Sequence, residues 1–459
     1  MKTTYETDWL GSQPIFYNEK TGKISKNINN VIDFQNLEFH PEGFNNYLDF
    51  GYSVFEQTPI KNVKFLRHSS RLNVDENGKI EVEYLNDIAE EWIGTKSSED
   101  DVWQLLESSV QNWENAVNGE IIVPTSGGYD SRILNFFLKD KSRVRSFTYG
   151  TSEYQSESFE VVYAKKLSEI LGIKWEHITL GEFHKYFNDW DKLFGISTHA
   201  HGMYHMEFYN KILPQVKGNN PFLSGIIGDG WSGKVEIDNI IVKPDLKKLN
   251  YNHGLSADSS FSKFKEVNYD LWDGYYNKNY QKLAEPMIRI VESMRFKLIL
   301  LSYLLSVPTY FGFQPWSPFL KPEIALSILT LPEKRRKNRA WQKEFFKKNG
   351  LDLESMQLKV SYQNNLNHQA MRKMPVPHLN ISLLREVIEP SYIKWINFHV
   401  SQQGPFWDWF WSLNKVPKLG GAMRRIGIRE KRLKAYHAYL TLKPIENVLI
   451  KRNQACGIY

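Results

Sequence analysis

The spacing of apolar positions changes character twice along this chain of 459 residues. Up to about residue 90, short alternating runs such as Gln13-Pro14-Ile15-Phe16-Tyr17 and Lys79-Ile80-Glu81-Val82-Glu83-Tyr84 alternate with turn residues, which predicts a β-rich region. From about 95 to 350 the period alternates between strand and helix. Ile121–Thr125 reads as a buried strand, and Ser131–Lys139 opens a helix with Ile133, Leu134, Phe137 and Leu138 on one side. Val144–Gly150 reads as the next strand. Phe159, Tyr163, Leu167, Ile170 and Leu171 then form a helical stripe that Gly172 is placed to stop, and Trp175–Leu180 reads as a third strand. Strand–helix–strand at this spacing predicts a parallel sheet with right-handed crossovers and a ligand at the carboxyl edge of its strands. A helix follows over 338–348, and beyond about 350 the pattern is mainly helical. The chain therefore divides into a β-rich segment (1–92), an α/β segment (93–350) and a helical extension (351–459).

The turn between the first strand and helix of the α/β segment is the most informative part. Thr125-Ser126-Gly127-Gly128-Tyr129-Asp130-Ser131 joins an apolar strand directly to a helix. Paired glycines let backbone N–H groups close around a pyrophosphate, and the helix start adds unpaired donors and partial positive charge. Ser126 and Ser131 supply hydroxyls, while Asp130 is placed to cap the helix or to hold Mg²⁺. A second glycine-rich turn, Ser224-Gly225-Ile226-Ile227-Gly228-Asp229-Gly230-Trp231-Ser232-Gly233, offers the same backbone freedom beside phosphates. The bland alternatives are a plain strand-to-helix turn for the first, which the full Ser-Gly-Gly-Tyr-Asp-Ser run in this context disfavours, and a surface Gly-Asp-Gly turn for the second.

Composition narrows the possibilities. Apolar residues at 41% and charged residues at 24% are ordinary for a globular chain, while 14 Trp favour large buried surfaces or ring-stacking sites. One cysteine, Cys456, excludes a disulfide framework and a Cys-rich metal centre. No long uncharged apolar run predicts a membrane span, and the first residues lack the apolar core of a signal peptide, so a cytoplasmic location is expected. Residues 401–459 carry 11 Lys/Arg against 3 Asp/Glu, so the net charge of +6 is concentrated there. That run, densest over 424–434, reads first as a solvated face. In the absence of a recognisable RNA-binding module, nucleic acid is disfavoured as a partner. His199, His201 and His205 invite a zinc reading, but no Glu flanks them as in His-Glu-x-x-His and Gly202 weakens a helix there.

With these motifs in order, the chain resembles the asparagine synthetase family, within the ATP pyrophosphatases that carry an SGGxDS loop. Asp8-Trp9-Leu10-Gly11-Ser12-Gln13-Pro14-Ile15-Phe16-Tyr17 and Tyr47-Leu48-Asp49-Phe50-Gly51-Tyr52 resemble the second half of that family's glutaminase domain. The first half is missing, and position 2 is Lys2 rather than the nucleophilic cysteine, so no glutaminase activity is expected. The resemblance implies an adenine nucleotide hydrolase-like, Rossmann-like synthetase domain that cleaves ATP between the α and β phosphates. The acyl-adenylate so formed is attacked by an amine.

Carried over by position, Ser126, Gly127, Gly128, Asp130, Ser131, Gly228 and Gly230 are expected around the phosphates, with Thr148 and Gly150 at the adenosine. Glu160 matches an acidic position on the following helix. Asp130 and Asp229 are expected to hold Mg²⁺, and Asp229 also to act as base toward the amine. Lys359, in Gln357-Leu358-Lys359-Val360-Ser361-Tyr362, corresponds to the lysine that offsets charge at the reacting carbonyl. Gln314–Leu320 and the histidine stretch are expected to shape the acceptor wall. The family's Asp-Glu pair falls on Ser232 and Gly233, so one metal ligand is missing.

These readings lead to an AMP-forming carbon–nitrogen ligase using ATP and Mg²⁺, with small carboxylate and amine or ammonia substrates. A sugar uronate or a natural-product acid would supply the carboxylate, and a separate glutaminase or a carrier protein would be its partner. The rival readings are a catalytically weak ATP-binding scaffold, a ring-closing macrolactam or β-lactam type cyclase, and an RNA-modifying enzyme using the basic tail.

Overall fold

The computed structural model describes residues 3–76, 78–216, 220–250, 255–415 and 430–458, together with 423 and 425. Lys2, and residues 424 and 426–429 of the basic run over 424–434, lie outside them. Six strands fall in the N-terminal segment: β1 (Thr3–Glu6), β2 (Phe16–Asn18), β3 (Ile24–Ser25), β4 (Val63–Phe65), β5 (Ser70–Val74) and β6 (Ile80–Tyr84). They form two antiparallel three-stranded sheets, ordered β1-β5-β6 and β3-β2-β4. The same segment also holds a helix, Pro41–Phe50, that the strand-like reading of this region misses. Its signals are local: His40 caps its start, Pro41 occupies the first turn, and Gly51 ends it at φ 80°.

The α/β segment contains β7 (Ile121–Pro124), β8 (Val144–Thr148), β9 (Lys174–His177), β10 (Pro221–Leu223) and β11 (Gln314–Trp316). All pair in parallel, in the order β11-β10-β7-β8-β9. The chain therefore runs outward from β7 in one direction to β9, then returns to the other side of β7 for β10 and β11. The boundary between β7 and β10 is the point where the strand order reverses, and it leaves a crevice at the carboxyl ends of those two strands.

Strand alternation explains how this sheet is covered. Ile122, Phe147 and Phe222 enter one apolar core, whereas Ile121, Val123, Val144 and Leu223 enter another. The second core is closed by helices Glu99–Ala116, Tyr129–Phe137 and Phe159–Leu171, and the first by Met203–Ile212, Pro390–Val400 and Arg432–Ala455. Gly172 ends the Phe159–Leu171 helix at φ 67°, as its position after the apolar stripe predicts. Several boundaries differ from expectation by one to three residues, two of them with a clear cause. The Tyr129–Phe137 helix starts two residues before Ser131, because Gly128 takes the cap position. The third strand stops at His177, and the N–H of Leu180 is instead taken by the Gln155 side chain at 2.9 Å.

The N-terminal segment packs into the same cores. Phe44, Tyr47 and Leu48 share the first core with Tyr436 and Tyr439, and the Tyr47 hydroxyl donates to the Thr441 carbonyl at 3.1 Å. Trp9 lies 5.9 Å from Trp231, ring to ring, and donates to the Leu320 carbonyl at 2.8 Å. Arg295 closes this junction. Its guanidinium donates to the Trp9 carbonyl at 2.7 and 3.0 Å, to both Asp87 oxygens at 2.6 and 2.7 Å, and to Glu292 at 2.8 Å. Burial alone would raise both carboxyls, but the arginine outweighs it and holds each below its ordinary value. Arg295→Ala would strand two buried carboxylates and is expected to cost about 3–5 kcal/mol in urea unfolding. A loss below about 1 kcal/mol would mean that water reaches them freely.

Candidate active-site cleft

The crevice between β7 and β10 is a cleft of about 490 Å³. Its floor comes from the two glycine-rich turns, Ser126–Ser131 after β7 and Ser224–Ile227 with Asp229 after β10. Its sides come from Phe159, Tyr163, Lys234, Arg339, Glu354 and Tyr362. Segments more than 200 residues apart in sequence thus meet at the carboxyl edge of the sheet.

The first turn is held from beneath by Arg132, whose side chain is fully buried. Its guanidinium donates to the Gly127 carbonyl at 2.8 Å, to both Glu354 oxygens at 2.9 Å and to the Leu351 carbonyl at 2.9 Å. Gly127 has φ 66°, and a Cβ there would lie 2.3 Å from Tyr163 Cβ, so only glycine fits. Ser126 Oγ accepts weakly from the Gly128 N–H at 3.3 Å, and Ser131 Oγ donates to the Gly128 carbonyl at 3.2 Å. The helix Tyr129–Phe137 points its N-terminus into this space without a side-chain cap, so Asp130 does not serve as the cap.

Asp130 instead meets the second turn. A methyl group on Gly228 would stand 2.7 Å from Asp130 Cγ, so the absence of a side chain at 228 makes room for the carboxyl. Asp130 Oδ1 is sealed from solvent and has no hydrogen-bond partner. Burial and the nearby negative charge of Asp229 push its carboxyl up to about 8, against a partial pull downward from Arg339 and Lys234. Asp229 is half-exposed and pairs with Lys234 at 2.9 Å. Ile227, just before this turn, has φ 55° and ψ 10°, an uncommon conformation for a β-branched side chain.

Other residues expected at the site hold different positions. Thr148 is buried, its hydroxyl donating to the Thr125 carbonyl and accepting from Trp175 Nε1 at 3.0 Å. A Cβ on Gly150 would lie 2.2 Å from the Gln155 carbonyl, and one on Gly230 would lie 2.8 Å from Met294 Sδ. Backbone crowding alone calls for glycine at 150, whereas the neighbour of Gly230 is the end of a flexible side chain. Glu160 accepts from Thr151 at 3.1 Å, while its Oε2 is buried without a partner and burial raises its carboxyl. Lys359 is exposed and does not line the cleft, although Tyr362, three residues on, does. At the position of the missing acid pair, Ser232 is buried and a Cβ on Gly233 would lie 2.0 Å from the Arg336 carbonyl. No side chain fits at 233, so a metal ligand there is sterically barred.

His201 sits in the short 3₁₀ turn before the Met203–Ile212 helix, so it does not share a helical face with His205. His205 is packed among Tyr149, Tyr204, Tyr209 and Tyr303, and burial pushes it down to about 3. Among the described residues, the one set of three ligand-type side chains within reach of a common point is His68, Asp87 and Glu292. Arg295 already occupies its two carboxylates.

Lys234, Arg339 and the Arg132–Glu354 pair are the site residues that pattern reading passes over. Arg339 stands at φ 56° with its guanidinium 4.1 Å above the Tyr129 ring. It ends the run Glu333–Arg339, whose charges read as a solvated helix start. Lys234 directly follows the second glycine turn, which was the available signal for it. Lys297 is buried, and desolvation lowers it to about 8, with Asp229 opposing the shift.

The sheet order and this cleft define the class, an α/β protein with a glycine-walled, two-carboxylate site at the reversal point of a parallel sheet. No protein-family model matches the chain, and no curated protein matches it. Among the described residues, no helix is long and apolar enough to cross a membrane.

The raised Asp130 value has a testable sign. Between about pH 4 and 8 the folded chain keeps a proton that the unfolded chain releases, so stability falls as pH rises through that window and levels above it. Asp130→Asn is expected to remove this decline in urea-unfolding measurements across pH. A divalent cation competes with the same proton, so Mg²⁺ should raise the wild-type Tm more at pH 8.5 than at pH 6. It should leave Asp130→Asn unmoved, and equal Mg²⁺ shifts in both proteins would contradict this assignment.

Proposed function

We propose that the protein is an ATP-dependent, AMP-forming amide synthetase of the asparagine synthetase type. The observation that carries this reading is the meeting of Asp130 and Asp229 at the strand-order reversal, beside a glycine-lined turn and a helix N-terminus. A Rossmann-like nucleotide-binding fold is the finer reading that the sheet order supports.

The donor set fits Mg²⁺. Asp130 Oδ1 is an orphaned buried oxygen facing a second carboxylate, and this hard cation is commonly held by one or two carboxylates with phosphate oxygens completing its shell. When bound, it offsets phosphate charge. The protein's own groups do the rest. The Gly127–Gly128 turn and the Tyr129 helix start cradle the β and γ phosphates, and Lys234 and Arg339 balance charge at the mouth. The Phe159–Tyr362 stacked pair, 5.2 Å apart, offers a ring platform for the nucleoside or a sugar. A substrate carboxylate oxygen attacks the α-phosphorus, and the α–β bridge breaks to release pyrophosphate. The nitrogen of an amine or ammonia then attacks the acyl carbon, AMP leaves with the C–O electron pair, and Asp229 is placed to take the amine proton. A sugar uronate suits the aromatic walls as the acyl source.

The test is carboxylate-dependent exchange of labelled pyrophosphate into ATP, with candidate uronates and other acids. Asp130→Ala and Asp229→Ala are expected to lower exchange by about 10²–10³-fold. Lys234→Ala and Arg339→Ala should each lose more than Lys359→Ala, and the reverse ranking would restore Lys359 to the reacting carbonyl. A second reading, a catalytically silent ATP-binding scaffold, is favoured by the barred ligand position at Gly233. It gains if ATP binds with Mg²⁺ yet no acid supports exchange. Failure to bind ATP would overturn both.

A further inference from the structure

The most anomalous charge in the molecule lies away from this cleft. Arg432, the first residue of the long C-terminal helix, is 1% exposed, and its Nε and Nη2 have no hydrogen-bond partner. Its nearest carboxylate oxygen, Asp408 Oδ1, is 3.9 Å from Nη1, too long for a hydrogen bond, and Asp408 is shared with Arg372 at 3.3 Å. Glu430 adds attraction at longer range, and burial still pulls the Arg432 guanidinium below its ordinary value. A buried guanidinium with two of its three nitrogens unmet is costly unless an acceptor arrives.

The surroundings are built to receive one. Arg432 lines a small cavity of about 60 Å³ with Arg372, Asn365, His368, Gln369 and Ser412, and the carboxylates of Asp408 and Glu153 also border it. Such a space exceeds what one water occupies and suits a tetrahedral oxyanion. Through Glu153, Gln369 and Arg372 it joins an open polar groove of about 720 Å³, to which His177 and Lys373 contribute. The groove wall is rigid: Gln369 donates to the Ser152 and Glu153 carbonyls at 2.7 and 3.0 Å and accepts from Gln155 at 2.9 Å. His177 Nε2 is buried there without a partner. Together the two spaces place Arg372, Lys373 and Arg432 against Asp408 and Glu153.

We infer that this is a second ligand site, in which Arg432 and Arg372 grip the phosphate group of a polar small molecule whose remainder lies in the adjoining groove. The guanidinium edges present N–H donors suited to phosphate oxygens, and the groove's amides, imidazole and ammonium suit hydroxyl-rich groups such as a sugar. Asn365 lines this cavity, and Tyr362, three residues earlier, lines the cleft beside Asp130. The site does not rest on the nucleotide reading.

Calorimetric titration of the full chain with sodium phosphate and with glucose 1-phosphate, against NaCl at matched ionic strength, tests it. Arg372 is half-exposed, so Arg372→Gln is expected to fold and to weaken phosphate-ester binding by at least about tenfold. Arg432→Met is expected to abolish it without lowering the ligand-free Tm, because an unmet buried charge is removed. Tighter binding of glucose 1-phosphate than of phosphate supports an ester filling the groove, and equal affinities support the anion pocket with free phosphate as its occupant. The cleft beside Asp130 can also take phosphate, so the site is read from the difference between wild type and these variants. Identical titrations in all three proteins would overturn it and leave water as the acceptor for Arg432. Loss of ATP binding alone would bear only on the cleft.

Discussion

A carboxyl group pressed against a glycine backbone and facing a second carboxylate is an unfavourable arrangement unless something positive joins it. Asp130 is in that position, with Gly228 too close to carry any side chain and Asp229 adding like charge. Burial and repulsion together favour the protonated form, against a partial pull from Arg339 and Lys234. The rest of the architecture serves to keep that corner from relaxing. Arg132 ties the first turn to Glu354 from below, and the strained Ile227 backbone presents the second turn from across the reversal point.

The second turn depends in turn on packing well outside the cleft. Trp231 donates to the Phe319 carbonyl at 2.9 Å, and Trp341 donates to the Ser232 carbonyl at 3.1 Å. Trp9 covers Trp231 from the N-terminal segment, and Met294 fills the space beside Gly230. The Pro286–Phe296 helix carries Met294 on this side and Arg295 on the other, so the Arg295 network and the Asp229 turn are braced by one element. The N-terminal segment thus acts as a buttress for a loop more than 200 residues away.

Much of the α/β segment was legible because its signals are local. The apolar run of β7, the Gly-Gly turn and the stripe ending at Gly172 each involve residues within a few positions of one another, where backbone sterics and helical periodicity act. Asp130 and Asp229 were also legible, from the turns that carry them. The helix Pro41–Phe50 could have been found from its Pro start and Gly stop, but a segment otherwise rich in strands obscured it.

Lys234, Arg339 and Lys359 mark the boundary of such reading. All three are basic residues in polar stretches, and apart from the glycine turn before Lys234 nothing local separates the two that line the cleft from the one that does not. The same holds for Thr148 and Gly150, whose environments are set by Trp175 and Gln155 from neighbouring elements. The amino-acid order by itself determined the strand–helix–strand succession of the α/β segment, its glycine turns, and that two acids follow two such turns. Only the tertiary structure decided that β10 returns to the far side of β7, so that those acids confront each other, and which cations join them. Strand order and side-chain proximity arise from burying both faces of the sheet at once, a condition on the whole chain that no single window of sequence contains.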